Sequence, residues 1–437
     1  MYQVEKHNID NNHALYKHID ELAFRSKNLY NVCNYVIRQN YFNRIKLEGK
    51  THIITKENSF NIDAKLVYEH ILNGGCTDKN YLNYGLVDKM LIKSNQVDYR
   101  DLPAKVSKQI LIQIDKNWKS FFESNKDFKK NPSKYKAQPR LPKYKHKTKG
   151  RNIIKYELGA ISRTELQNGY IKLSQTNIKL PFINKDKCKK LKEVRIVNNL
   201  ISYTIEIVYE IETKPLKINN NMLGIDIGIN NLMSVVNTLE QRPIIINGKS
   251  IKSINQYYNK NLAKLKSELP KGVYTSKKIK RFTEKRNNKI NTEMHKATKY
   301  ILDYCIEHDI SKVVIGYNPS WKQDVNLGKK TNKNFTNIPH KKLIDQLKYK
   351  LEIEGIELIT VTEEYTSKCS FIDGEAPRKH TVYAGKRVKR GLFQSKYGMY
   401  INADVNAAYN ILSKVVPALY VGDRGLAVDP VRISIAA

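Results

Sequence analysis

Asp226 stands inside the apolar run Met222-Leu223-Gly224-Ile225-Asp226-Ile227-Gly228-Ile229-Asn230, a strand that Gly228 and Asn230 terminate. Asp404 opens a helix in Ile401-Asn402-Ala403-Asp404-Val405-Asn406-Ala407-Ala408-Tyr409, whose Ala-rich face can lie close against a sheet. A buried carboxylate is costly unless it is paired or binds a metal. A fold that brings both acids together points to a Mg²⁺ site for phosphodiester chemistry.

The charge balance bears on the substrate. Lys and Arg number 77 against 42 Asp and Glu, a net charge of +35. That excess suits a protein lying along a polyanion and displacing its counterions better than it suits a small-molecule enzyme. Anionic membrane is the competing partner, but no apolar run nears spanning length and neither end carries a basic amphipathic anchor. Met1-Tyr2-Gln3-Val4-Glu5-Lys6-His7 lacks the apolar core of a signal peptide. Cys33, Cys76, Cys188, Cys305 and Cys369 are scattered and odd in number, which argues for a reducing compartment and against a zinc site of closely spaced Cys pairs.

A chain of 437 residues exceeds one compact core and implies several domains. Residues 16–48 read as helix, and 50–100 as a loop-rich insertion with short helices. A helix starts at Pro103, with Val106, Ile110, Ile114 and Trp118 on one stripe. The window Lys129 to Arg151 holds ten Lys/Arg and no acid, and Pro132, Pro139 and Pro142 keep it extended. It reads either as a solvated linker or as a strap tracking phosphates, with Lys134, Lys136, Arg140, Lys143, Tyr144, Lys145 and Lys147 as contacts. From 152 to 212 apolar residues alternate, which predicts short strands in a small β-barrel or sandwich.

From 221 onward strands alternate with helices. Strands are expected at 222–228, 232–236, 243–246, 312–316 and 356–362, with a long basic helical region over 251–308 and a helix at 340–354. With the Asp404 helix last, this is the order of an RNase H-like α/β fold, which sets carboxylates at strand ends. Lys280 and Arg281 lie in the charge-dense middle of the helical region. A third acid is expected from a central strand. Gly316 closes 312–316, so Glu363 or Glu364, ending the next strand, takes that place; alternation from Ile359 and Val361 favours Glu363. Taken singly, each acid has a plainer reading: Asp226 at a turn, Asp404 as a helix N-cap, Glu363-Glu364 as a solvated pair.

These segments resemble the transposon-encoded RNA-guided nucleases of the TnpB and Fanzor family, whose RuvC-like core is shared with type V CRISPR effectors. Gly224 to Leu232 is similar to the family's first RuvC motif, Val314-Ile315-Gly316-Tyr317-Asn318-Pro319-Ser320-Trp321-Lys322-Gln323 to its second and Asn402 to Asn410 to its third. Glu363 to Ser370 resembles the entry to its zinc-finger region. Two departures stand out. The usual second-motif Glu is missing at Gly316, and Glu363 fits a subgroup with a relocated Glu. Of the usual four-Cys ribbon only Cys369 remains, which implies no structural zinc.

The resemblance implies a RuvC-like nuclease domain with an N-terminal β-barrel wedge domain and a helical recognition lobe. Its expected segments are 1–15 for the first part of the wedge, 16–130 for the lobe, 131–215 for the β-rich wedge and 216–365 for the first nuclease part. A degenerate zinc-finger-like insert at 366–400, the last nuclease helix at 401–415 and a disordered tail at 416–437 follow. It implies an RNA-guided, Mg²⁺-dependent DNA endonuclease with Asp226, Glu363 and Asp404 as catalytic metal ligands. The partners would be a transposon-derived guide of omega RNA type and a target DNA duplex, with the protein monomeric on its RNA. Lys280, Arg281, Trp321, Lys322, Lys386 and Arg387 join the expected nucleic-acid contacts. The location would be intracellular: nuclear in a eukaryotic host, cytoplasm or nucleoid in a prokaryote. The alternative is a nuclease-inactive RNA-guided DNA-binding protein of repressor type, which the Gly316 departure motivates.

Overall fold

The computed structural model describes residues 1–42, 46–48, 52–54, 59–61, 81–318, 339–417 and 429–434. The chain divides into two compact units, Met1–Ile211 and Glu212–Ala437. Trp321 and Lys322 lie outside the described residues.

The first unit runs β1 (Tyr2–Ile9), α1 (Tyr16–Tyr41), β2 (Lys46–Glu48), β3 (His52–Ile54), β4 (Ser59–Asn61), α2 (Tyr84–Lys93), α3 (Val97–Arg100) and α4 (Ala104–Lys130). It continues with β5 (Ile154–Glu157), α5 (Arg163–Gln167), β6 (Tyr170–Lys172), β7 (Lys179–Pro181), β8 (Lys190–Asn198) and β9 (Tyr203–Glu210). Pro103 stands at the N-cap of α4, and the stripe Val106, Ile110, Ile114, Trp118 is buried. Trp118 Nε1 donates to Asn34 Oδ1 on α1 at 3.1 Å, which satisfies the indole in a buried site. Alternation in β9 buries Tyr203, Ile205, Ile207 and Tyr209.

The strands pair antiparallel in the order β1-β9-β8-β5, with β6 and β7 as a separate ribbon. Where the alternating stretch suggests a barrel, the pairing among the described residues is therefore an open four-stranded sheet. The helix expected over 16–48 ends at Tyr41, and three short strands follow in sequence. The basic window is not a free linker. Its extended part lies along α1, where Asn31 bonds both the N–H and C=O of Lys145, and Asn34 and Arg38 donate to the Pro142 carbonyl.

The second unit contains β10 (Met222–Ile227), β11 (Asn231–Asn237), β12 (Ile244–Asn247), α6 (Lys249–Ser267), α7 (Lys277–Glu307), β13 (Lys312–Gly316), α8 (His340–Ile353) and β14 (Glu357–Val361). Then come β15 (Lys386–Lys389), β16 (Leu392–Gln394), β17 (Tyr400–Asn402), α9 (Ala403–Ser413) and β18 (Val431–Ile433). The main sheet has the order β14-β13-β10-β11-β12-β18, and β15-β16-β17 form a smaller one. Strands β14, β13 and β10 are parallel neighbours, while β11 is antiparallel to β10.

Two segments differ from expectation. The helical stretch over 251–308 is two helices, broken around Pro270 and Gly272, whose φ of +84° suits a residue without Cβ. The tail expected to be disordered supplies β18, whose β-branched Val431 and Ile433 suit the parallel edge beside β12.

One face of the main sheet packs Leu223, Ile225, Ile227, Val313 and Ile315 against α7 and α8. The other packs Val236, Ile245 and Val314 against Val405, Ala408, Tyr409 and Leu412 of α9. Gly224 permits the close approach of α9: a Cβ there would stand 2.7 Å from both the Ala408 carbonyl oxygen and the Leu412 Cβ. Gly224→Ala is expected to cost about 1–3 kcal/mol by overpacking and to lower the melting temperature of the second unit, read by a thermal scan beside the wild type.

Candidate active site

Strand alternation decides where the acids point. Ile225 and Ile227 face the α7/α8 core, so Asp226 shares the α9 face with Gly224. Across β11, Asp226 is in register with Ser234, whose buried hydroxyl has no hydrogen-bond partner. On the other side Ile225 pairs with Ile315, so Gly316 comes next to Asp226. Gly316 in turn pairs with Val361, and Glu363 follows two residues later on the same face.

The side chain of Glu363 folds back over Gly316. A Cβ at Gly316 would stand 2.8 Å from Glu363 Cγ and 3.1 Å from its Oε1. The space beside Asp226 that a residue-316 side chain would fill is thus occupied by the Glu363 carboxyl. Glu364 is exposed, and its carbonyl accepts from Lys414 Nζ.

Asp404 enters from α9. It is not the cap of that helix: Asn402 is, accepting from the N–H groups of Asp404 at 3.0 Å and Val405 at 3.3 Å. The Asp404 carboxylate is therefore left for other partners. Its Oδ2 accepts from Asn231 Nδ2 at 2.7 Å, and its Oδ1 lies 3.7 Å from the Arg387 guanidinium of β15.

Burial pushes Asp226 well above the usual carboxylate range, and the Asp404 and Glu363 charges push it further, while Arg387 pulls the other way. Burial raises Glu363 to about 7, partly offset by Lys414. Glu363 Oε1 is buried without a hydrogen-bond partner. Three hard oxygen donors, one oxygen of them unsatisfied, have the donor chemistry a small divalent cation takes. As placed, no set of three His, Cys, Asp or Glu side chains among the described residues is close enough to share one ion. Binding one would require the carboxyls to draw together.

The expected nucleic-acid contacts are dispersed. In the first unit Lys136, Arg140, Lys143, Tyr144 and Lys147 are exposed, and Lys134 is in an ion pair with Asp127 at 2.7 Å. Lys145 is half-buried with its ammonium over the Tyr30 ring, and Arg38 covers Tyr144. In the second unit Lys280 is half-buried, and Arg281, Lys386 and Arg387 are exposed. Sequence reading missed the tie from Asn231 to Asp404, the approach of Arg387 to the acids, and Asn318 Oδ1, which accepts from the Glu363 N–H at 3.2 Å. Asn231 ends the first motif and Asn318 lies within the second; only that placement hinted at them.

Residues 206–322 match a family described as a probable transposase, OrfB_IS605, and residues 340–411 match the Cas12f1-like TNB domain. A CRISPR-associated endodeoxyribonuclease, Cas12f2 of Micrarchaeota archaeon (strain CG1_02_47_40), is 28% identical over 228 residues, covering 50% of this chain and 41% of the relative. The chain thus spans about two fifths of that curated relative. The cryo-EM structure of a Cas12f1–sgRNA–target DNA complex aligns with a TM-score of 0.50 at 16% identity, over 91% of this chain and 82% of the other. That likeness extends to a Cas12-like multidomain α/β fold.

Folded Glu363 and Asp226 keep their protons to higher pH than the unfolded chain does, so ionising them costs folding free energy. The cost is absent below the unfolded carboxyl value and grows as pH rises toward about 7. In chelator, the melting temperature is expected to fall between about pH 5 and pH 8, and Glu363→Gln to flatten that fall. Scanning fluorimetry over a pH series reads it; an unchanged slope in the variant would show that Glu363 is not the cause.

Proposed function

The chain belongs to the TnpB-like and type V effector family, and from that premise we propose that it is an RNA-guided DNA endonuclease in which Asp226, Glu363 and Asp404 hold Mg²⁺. The observation that carries this reading is the Glu363 carboxyl lying over Gly316, beside Asp226. A glutamate from the neighbouring strand end takes the space that the second-motif Glu would need.

When bound, the metal supplies an activated water and charge stabilisation at the leaving oxygen. The chain's own residues do the rest. The Asp226 main chain is held in register opposite Ser234 of β11, which fixes the position from which its carboxylate starts. Asn231 holds Asp404 in one orientation, and Lys414 moderates the charge at Glu363. Arg387, exposed on β15 and reaching toward Asp404, is available to a strand phosphate. The net charge of +35 is consistent with an RNA and a DNA as simultaneous partners. In this reading 16–130 is the recognition lobe, 131–215 with 1–15 the wedge, and 366–400 a nucleic-acid-binding insert. The guide is an omega-type RNA of transposon origin, carried by a monomer inside the cell. Base pairing reads the target sequence while the protein reads shape and a short adjacent motif.

A second reading, a nuclease-inactive RNA-guided binder, draws on the carboxyls not being close enough to share an ion as placed. One experiment separates the two. The protein purified with its copurifying RNA, given matched DNA and Mg²⁺, is expected to cut. Asp226→Ala, Asp404→Ala and Glu363→Gln should each lower the cleavage rate by at least about 10²-fold while leaving DNA binding in place. Binding without any cut by the wild type would favour the second reading, and cutting that survives Asp226→Ala would reject the site.

A further inference from the structure

Two asparagines of the last motif take no part in the site described so far. Asn406 and Asn410 sit one turn apart inside α9 and are fully buried. Asparagine is a poor helix-interior residue, and a buried amide is costly unless it is bonded. Both amides spend their bonds on one short segment. Asn406 Nδ2 donates to the Cys369 carbonyl at 2.8 Å, and its Oδ1 accepts from the Phe371 N–H at 3.0 Å. Asn410 Nδ2 donates to the Thr366 carbonyl at 2.9 Å and the Cys369 carbonyl at 2.8 Å. Asn410 Oδ1 is buried without a partner, so donation toward that segment is all its amide obtains.

The segment so gripped begins at Glu363. Thr366 Oγ1 donates to the Glu363 carbonyl at 2.9 Å, and Tyr365 between them adopts a φ of +63°. This left-handed turn does not hold its shape by local preference. Asp226 has strand pairing at its own position, opposite Ser234 of β11. Glu363 lies beyond the last paired residue of its strand, Val361. A third acid moved from a strand to the loop after one loses the sheet as its support and needs another.

We infer that Asn406 and Asn410 are positioning residues for the Glu363 carboxylate. They act through the Thr366–Cys369 main chain, so that α9, which carries Asp404, also sets where Glu363 stands. The inference rests on the metal-site reading above. Its prediction is specific: removing a brace should weaken ion binding only while Glu363 is there to be braced.

The test is a double-mutant cycle on the full chain with its RNA. Mn²⁺ affinity is measured by electron paramagnetic resonance, alongside the Mg²⁺ midpoint for cleavage, for wild type, Asn410→Ala, Glu363→Gln and the double variant. Asn410→Ala is expected to weaken Mn²⁺ binding by about 10–100-fold, raise the Mg²⁺ midpoint, and leave target-DNA affinity unchanged. In the Glu363→Gln background the same substitution should change Mn²⁺ affinity less than about twofold. Equal weakening in both backgrounds, or none in either, overturns the inference while leaving the metal-site reading intact. A wild type that binds no Mn²⁺ overturns both. Should Asn410→Ala not fold, the near-isosteric Asn410→Leu, which removes the same two donated bonds, carries the same cycle with the same expectations.

Discussion

The buried Asp226 carboxyl lies within reach of the Asp404 and Glu363 charges, which repel it, and the second unit holds the three on one side of its main sheet. The apolar faces of β10, β13 and β14 fix the strands, and α9 comes close because Gly224 has no side chain. The protein supplies little countercharge of its own. The Arg387–Asp404 approach is 3.7 Å between side chains 46% and 28% exposed, a geometry worth at most about 1 kcal/mol. Asn231 gives Asp404 a neutral bond, and Glu363 Oε1 receives none. Buried and with so little countercharge, Asp226 and Glu363 hold their protons above the usual carboxylate range.

Much of that arrangement could be read from the chain. The alternation of Ile225, Asp226 and Ile227 sets which face Asp226 takes, and the same parity carried from Ile359 and Val361 reaches Glu363 rather than Glu364. The partners of the acids were not legible. Asn231 reaches Asp404 across 173 positions, and Arg387 arrives from a separate small sheet. Such contacts depend on how elements stack, and a linear pattern of polar and apolar residues does not encode that for exposed or half-buried groups.

The fold divides along the same line. Strands with clear alternation and helices with apolar stripes lie near where the pattern sets them, as in β13 at Lys312–Gly316 and α8 at His340–Ile353. Polar segments were harder. The basic residues over 251–308 hide the break at Pro270 and Gly272, because long Lys-rich stretches look helical on either side of it. The Lys129–Arg151 window looks solvated by composition. Its main chain is nonetheless held by Asn31, Asn34 and Arg38, whose spacing on α1 gave no separate sign of that role. Arg151 adds a two-pronged ion pair with Asp20, both bonds 2.7 Å.

The insert between β14 and α9 raises the question of what orders a loop so rich in charge. Glu375 accepts from the Ser370 N–H at 2.8 Å and the Ala384 N–H at 3.0 Å, drawing two distant turns onto one carboxylate. Asp373 does the same for the Lys396 N–H at 2.8 Å, and the rings of Phe371 and Tyr409 stack at 4.4 Å. The remaining ties run from Asn406 and Asn410 to the Thr366–Phe371 main chain. The insert is therefore ordered by the helix that carries Asp404, and the turn it starts from carries Glu363.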